Sequence, residues 1–121
     1  MWIFTTEGFL SIVQHKSKMG YFQVRSRTIE PLKIYWPNLQ VEVIDWADYR
    51  YRITMRKEDT MPVLIDLILS IEYTNFKNAC DDYQYRVLLG NIWRLLFEYQ
   101  SRIESNLFKD DKVSIGEFDN E

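Results

Sequence analysis

The sequence predicts an α+β domain, in which two or three helices pack on one face of an antiparallel sheet of four to five strands. Two observations predict this class. Three segments that alternate apolar and polar residues precede the first helical segment, and a pair precedes the next two helical segments. Strands and helices therefore do not alternate singly, as they would in a doubly wound parallel sheet. A ferredoxin-like arrangement with exchanged hairpins is one topology that fits this order.

The N-terminal third carries three strand patterns. Residues 2–4 and 9–14 alternate, and the short polar segment between them ends at Gly8, which can adopt a positive φ without steric cost. A second polar turn then leads into residues 21–27, which alternate again. We expect these three segments to form a meander.

The middle of the chain predicts a short helix followed by two strands. Thr28 can cap a helix that runs to residue 36, with Pro31 in its first turn. This helix ends before Pro37, because proline disfavours the helical conformation in the preceding residue. Residues 41–44 form a short strand, and residues 48–56 form the next one.

Two further helices complete the predicted domain. Asp59 can cap the first of them, with Pro62 in its first turn. Residues 82–103 form the longest helix, whose wide apolar stripe predicts packing across the back of the sheet. Residues 104–121 follow the domain as an acidic tail, in which residues 113–118 alternate like a strand.

Arginines recur on one side of two predicted strands. Within residues 48–56, alternation places Tyr49 on the side of the core and Arg52 on the opposite side. Residues 21–27 repeat the pattern, and the sheet should therefore present an arginine-rich face. The candidate binding residues are Arg25, Arg27, Tyr49, Arg50, Tyr51 and Arg52, together with Trp46 in a connection.

This face suits a ligand with negative charge. Guanidinium groups bind phosphate in a bidentate manner, and tyrosine rings can stack on bases. Such chemistry fits RNA, a cyclic nucleotide or an acidic protein. Alternatively, the arginines pair with Glu30, Glu42, Asp45 and the acidic tail and keep the sheet soluble. Trp46 favours a protein interface, including one between two copies of the chain.

Several catalytic classes lack their residues. The single Cys80 excludes an internal disulfide and a cysteine-based zinc site, and the sequence has no glycine-rich phosphate loop or nucleophile elbow. His15 is the only histidine, and together with Glu7 and the arginines it defines a third hypothesis, a metal-independent nuclease. We expect no catalytic residues, metal or cofactor.

The net charge of −3 is unevenly distributed. Residues 104–121 carry −4, which leaves +1 for the rest of the chain. The longest apolar run, residues 62–69, is too short to span a bilayer, and the N-terminus lacks the basic region of a signal peptide. With the lone cysteine, these features predict a cytoplasmic protein with no membrane partner.

Three motifs resemble those of a family of small uncharacterised proteins from bacterial and phage genomes. They are MWIFTTEGF at residues 1–9, DYRYR at 48–52 and YTNFK at 73–77. The resemblance covers about residues 1–100 and brings no known activity. It implies a small phage-type accessory protein that binds and modulates a host protein complex, such as an inhibitor of a defence system.

Overall fold

The computed structural model describes residues 1–110, with side chains through Leu107. The chain has an α+β fold, as predicted: its described part contains a five-stranded antiparallel sheet and three α-helices. It divides into two compact units, Met1–Ala79 and Cys80–Glu121. The sheet and the first two helices belong to the first unit.

The sheet has the strand order β1-β2-β3-β5-β4, and all neighbouring strands are antiparallel. The first three strands form the predicted meander. The first helix follows the third strand, whereas a ferredoxin-like fold places a helix directly after its first strand, so this topology is different. The strands are β1 Trp2–Thr5, β2 Gly8–Gln14, β3 Tyr21–Ser26, β4 Glu42–Val43 and β5 Tyr51–Arg56.

Helices α1 (Glu30–Tyr35) and α2 (Lys57–Leu69) cover one face of this sheet. Inward-facing residues of β2, β3 and β5 alternate along the strands and meet apolar side chains of both helices, as the period of two requires. The buried core comprises Leu10, Ile12, Val24, Leu32, Trp36, Ile53 and Met55, with Val63 and Leu64 of α2 packed against it.

The helix starts differ from the predicted ones. The residue before α1 is Ile29 rather than Thr28, and no side chain caps it, although Pro31 does lie in the first turn. Helix α2 begins immediately after β5, so Asp59 lies within its first turn instead of capping it. An acidic residue still suits that position, since it interacts favourably with the helix dipole.

A hydrogen-bonded junction ties the β1–β2 turn to α1. The Thr5 hydroxyl accepts hydrogen bonds from the backbone N–H groups of Glu7 (3.1 Å) and Gly8 (3.2 Å). The Tyr35 hydroxyl also donates to Thr5 Oγ1, at 2.9 Å. Burial raises the pKa of the Tyr35 phenol above its ordinary value. The turn and the helix therefore depend on each other for their positions.

We expect Gly8→Ala to destabilise the fold by about 3 kcal/mol or more. Gly8 has a φ of +146°, which is strained for any other residue, and a Cβ there would overlap Pro31 Cγ. Gly20→Ala is the control, because Gly20 also has a positive φ but open space around it. It should cost only about 1–2 kcal/mol. Urea unfolding measures both values, and equal losses would contradict the steric role of Pro31.

We expect Tyr35→Phe to lower stability by about 1 kcal/mol at neutral pH, since it removes the hydrogen bond to Thr5. Because the folded-state pKa of Tyr35 is raised, its contribution is complete below the ordinary tyrosine pKa and is lost as pH rises beyond it. Urea unfolding at pH 8 and pH 10.5 should show a smaller alkaline loss in the variant. Tyr83→Phe, at an exposed site, should leave the alkaline loss unchanged.

The second unit contains α3, which spans Tyr83–Asp110. This helix extends past the predicted end at residue 103, so the first seven residues of the predicted acidic tail are helical. The remainder of that tail, including the strand predicted at residues 113–118, lies outside the described residues. Among residues 1–110, no helix has the length and apolar character that crossing a membrane requires.

Candidate binding face of the sheet

Neither α1 nor α2 covers the other face of the sheet, which we call the second face. Its central row crosses all five strands in register, because each residue lies directly opposite the next one. Side chains that lie opposite each other in an antiparallel pair point to the same face. The row consists of Trp2, Ser11, Arg25, Arg52 and Glu42.

Two half-buried arginines face each other at the centre of this row. Arg25 lies opposite Arg52, and like charges in this arrangement are destabilising. Arg25 Nη2 donates to Ser11 Oγ at 2.8 Å, and Arg52 Nη2 donates to the Tyr49 carbonyl at 3.0 Å. Within residues 1–107, neither guanidinium forms an ion pair with a carboxylate. Glu42 lies opposite Arg52 at the end of the row, so the row carries two positive charges and one negative charge, with the two arginines in partly dehydrated surroundings.

The Nε atoms of Arg25 and Arg52 add to this imbalance. Both are buried, and neither has a hydrogen-bond partner. A buried donor without a partner carries a free-energy cost of about 1–3 kcal/mol. Native proteins contain few such groups. Two of them at one pair of residues indicate that this pair lowers the stability of the folded state.

The remaining arginines of the predicted row are neutralised. Each forms an ion pair with a nearby aspartate, and Asp45 is the one partner among them that the alternative interpretation of the sequence named. These pairs are exposed and contribute little stability, but they remove the net charge of three guanidiniums. They are Arg27–Asp48 (3.0 Å), Arg50–Asp45 (3.5 Å) and Arg56–Asp59 (3.7 Å). The hydrogen bond to Asp48 raises the pKa of Arg27 further above its ordinary value.

Tyr49 lies with the arginines and not on the side of the core that alternation predicted. Its ring centroid is 4.4 Å from Cζ of Arg25 and 4.3 Å from Cζ of Arg27, within the range of cation–π attraction. It also stacks on Phe9, at 6.3 Å between centroids. Alternation fails here because β5 begins only at Tyr51. The buried ring holds the guanidiniums in place.

The other predicted binding residues occupy different surroundings. Tyr51 packs against the core cluster, on the opposite side of the sheet from Arg52. Trp46 lies in the connection between β4 and β5, with 89% of its surface exposed. Arg50 lies in the same connection, bound to Asp45. The structure therefore brings together Arg25, Arg27, Tyr49 and Arg52. It places Tyr51, Trp46 and Arg50 away from that group.

Trp2 belongs to the second face, although sequence reasoning did not select it as a binding residue. It is 69% exposed, and its ring meets Phe9 edge-on at 5.7 Å between centroids. The signal was present in the alternation of β1: Ile3 packs against the core, so Trp2 must point the other way. Trp2 places an exposed aromatic at the edge of the arginine row.

The residues of the nuclease hypothesis do not converge. His15 Nδ1 accepts hydrogen bonds from the backbone N–H groups of Ser17 and Lys18, both at 3.1 Å, and thereby organises the β2–β3 turn. Glu7 lies at the other end of β2, about 20 Å away by strand length. No group of three or more metal-ligating side chains occurs in the described part of the chain.

Comparison of the chain with protein-family models, curated proteins and solved structures gives no match. The binding chemistry of the second face is therefore inferred from its geometry alone. Arg25 contacts the Tyr49 ring, Arg52 donates to the Tyr49 carbonyl, and Trp2 lies exposed at the end of the same row. Together they define a surface that can receive anionic groups.

We expect sulfate to raise the melting temperature by a few degrees more than chloride at equal ionic strength. An anion that binds between Arg25 and Arg52 removes their repulsion and stabilises the folded state by mass action. Sulfate also stabilises proteins in general, so the measurement needs the variant Arg25→Gln/Arg52→Gln. Its sulfate increment should be smaller than that of the wild type, and equal increments in a thermal melt would argue against an anion site.

Proposed function

We propose that this chain is a non-enzymatic binding protein that holds an acidic protein partner on the second face. One observation carries the proposal: Arg25 and Arg52 face each other, half-buried, without a carboxylate partner among the described residues. A carboxylate from a partner would supply the missing counter-charge. Such charge-assisted hydrogen bonds are stronger than neutral ones.

The composition of the second face supports a protein partner. Arginine and tryptophan are enriched among residues that dominate protein–protein binding energies, and here Trp2 and Arg25 occur in a single row. The row spans about 19 Å across five strands. A surface of that width matches a protein surface better than a single small ligand.

A nucleotide or RNA is the second candidate ligand, since guanidiniums also bind phosphate. Base recognition, however, commonly uses exposed aromatic rings as stacking platforms. Of the two tyrosines predicted for that role, Tyr49 is covered by guanidiniums and Tyr51 packs against the core. The two predicted tyrosines therefore do not serve as stacking platforms, and a nucleic-acid ligand would have to stack on Trp2 instead.

The resemblance to small phage and bacterial proteins supports a more specific role. In this proposal the partner belongs to a host protein complex, and the chain acts as an accessory protein that modulates it, for example by inhibiting a defence system. The acidic surface of such a partner would meet Arg25 and Arg52. Trp46, exposed in the β4–β5 connection, is a further candidate contact.

Two fluorescent probes of equal negative charge test the proposal: a glutamate-rich peptide and a single-stranded oligouridylate. We expect the peptide to bind, as measured by fluorescence anisotropy, and Arg25→Gln/Arg52→Gln to weaken that binding at least tenfold. The effect should shrink as salt is added, because exposed charges are screened. Preferential binding of the oligouridylate would instead make nucleic acid the leading ligand.

The matched control is Arg86→Gln/Arg94→Gln, which changes the net charge equally but lies on α3. It should leave peptide binding within about twofold of the wild type, because a change in net charge alone acts weakly at physiological salt. An equal loss in both variants would show that the peptide responds to overall charge, and would contradict a site on the second face.

A further inference from the structure

Helix α3 carries a stripe of apolar side chains that are exposed to solvent. Five large apolar side chains near its C-terminal half are each at least 50% exposed. At 100° per residue they fall within an arc of about 120° on the helix surface. These residues, which we call the α3 stripe, are Leu95, Leu96, Tyr99, Ile103 and Leu107.

The stripe follows the heptad spacing of helices that pair with each other. Apolar residues occur at 92, 96, 99 and 103, with steps of four, three and four, whereas Leu89 at the preceding position is buried. This spacing is that of the a and d positions of a coiled coil. Leu95 and Leu107 flank the seam and widen it. With 28 residues, α3 is also far longer than an average helix of about 11–12 residues.

The side of α3 away from the stripe carries polar residues together with one aromatic pair, Trp93 and Phe97, which stack at 5.6 Å between ring centroids. Arg94 Nη1 donates to Glu98 Oε2 at 3.2 Å, one turn along the helix. Ser101 and Ser105 lie on the same side. The polar side therefore needs no partner, while the α3 stripe leaves apolar surface in water, which is unfavourable.

The charges beside the seam are compatible with a second copy of the same helix. In coiled coils the residues that flank the a and d positions set the choice of partner. In α3, the positions that flank the seam between residues 93 and 107 are mostly uncharged. Among these flanking positions, Arg102 is the single charged residue. Two copies can thus approach without facing rows of like charge.

The α3 stripe supplies somewhat more than half of the area that a stable interface needs. Five half-exposed large side chains offer on the order of 500 Å² per copy. A stable interface uses about 800 Å² per partner, and the stems of neighbouring Gln100 and Arg102 lie next to the seam. A symmetric pair needs only this one self-complementary surface on each copy.

We infer that the α3 stripe is the interface of a homodimer, in which α3 of one copy packs against α3 of a second copy. This inference does not depend on the proposed function. It concerns the second unit alone and assigns the apolar surface of that unit to self-association.

The mass of the full chain in solution tests the inference. Light scattering after size exclusion should give twice the 14.7 kDa of one chain. Leu96→Glu/Ile103→Glu should give the monomer mass, because it places charges within the seam. The control Ser101→Glu/Ser105→Glu adds the same charge on the polar side and should remain dimeric.

A second variant keeps the test informative if the double glutamate variant fails to fold. Leu96→Ala retains a helix-forming residue and should weaken the dimer at least tenfold by sedimentation equilibrium, with circular dichroism confirming the folded state. A monomeric wild type would overturn the inference. So would a dimer that Leu96→Ala leaves unchanged, or one that the serine control also dissociates.

Discussion

The two-residue period of β3 and β5 is the constraint on which the rest of the structure depends. Val24 and Ile53 lie opposite each other and are buried in the core beneath α1 and α2. The next residue of β3 and the preceding residue of β5 must then lie opposite each other on the other face. Those residues are Arg25 and Arg52. The hydrophobic core therefore dictates, through register alone, that two positive charges meet at the centre of the second face.

This pair is unfavourable for the isolated fold. Opposed like charges are destabilising, and the two buried Nε donors lack partners. Tyr49 partly compensates, because its ring attracts the guanidiniums of Arg25 and Arg27. Local rules that a fold breaks without compensation tend to mark functional positions. The contrast with Arg27, Arg50 and Arg56, which all have aspartate partners, supports that interpretation for Arg25 and Arg52.

Sequence patterns predicted the elements that follow a clear period. Alternation located the strands and the arginine-rich face, because core burial enforces it along β3 and β5. It failed at Tyr49, where the strand had not yet begun. The start of α2 was also missed, since β5 passes into that helix without a loop. The Arg27–Asp48 pair could not be predicted, because its residues are 21 positions apart in sequence, whereas the pairs of Arg50 and Arg56 are local.

The second face and the α3 stripe differ in the physical force that each can use. Guanidinium contacts are electrostatic, so they favour fast, salt-sensitive encounter with an oppositely charged surface. The apolar stripe gains free energy by excluding water, and that gain is not screened by salt. A protein that both self-associates and captures a partner needs the two events to remain independent. High salt should therefore weaken a proposed partner contact on the second face and spare a proposed contact through the α3 stripe.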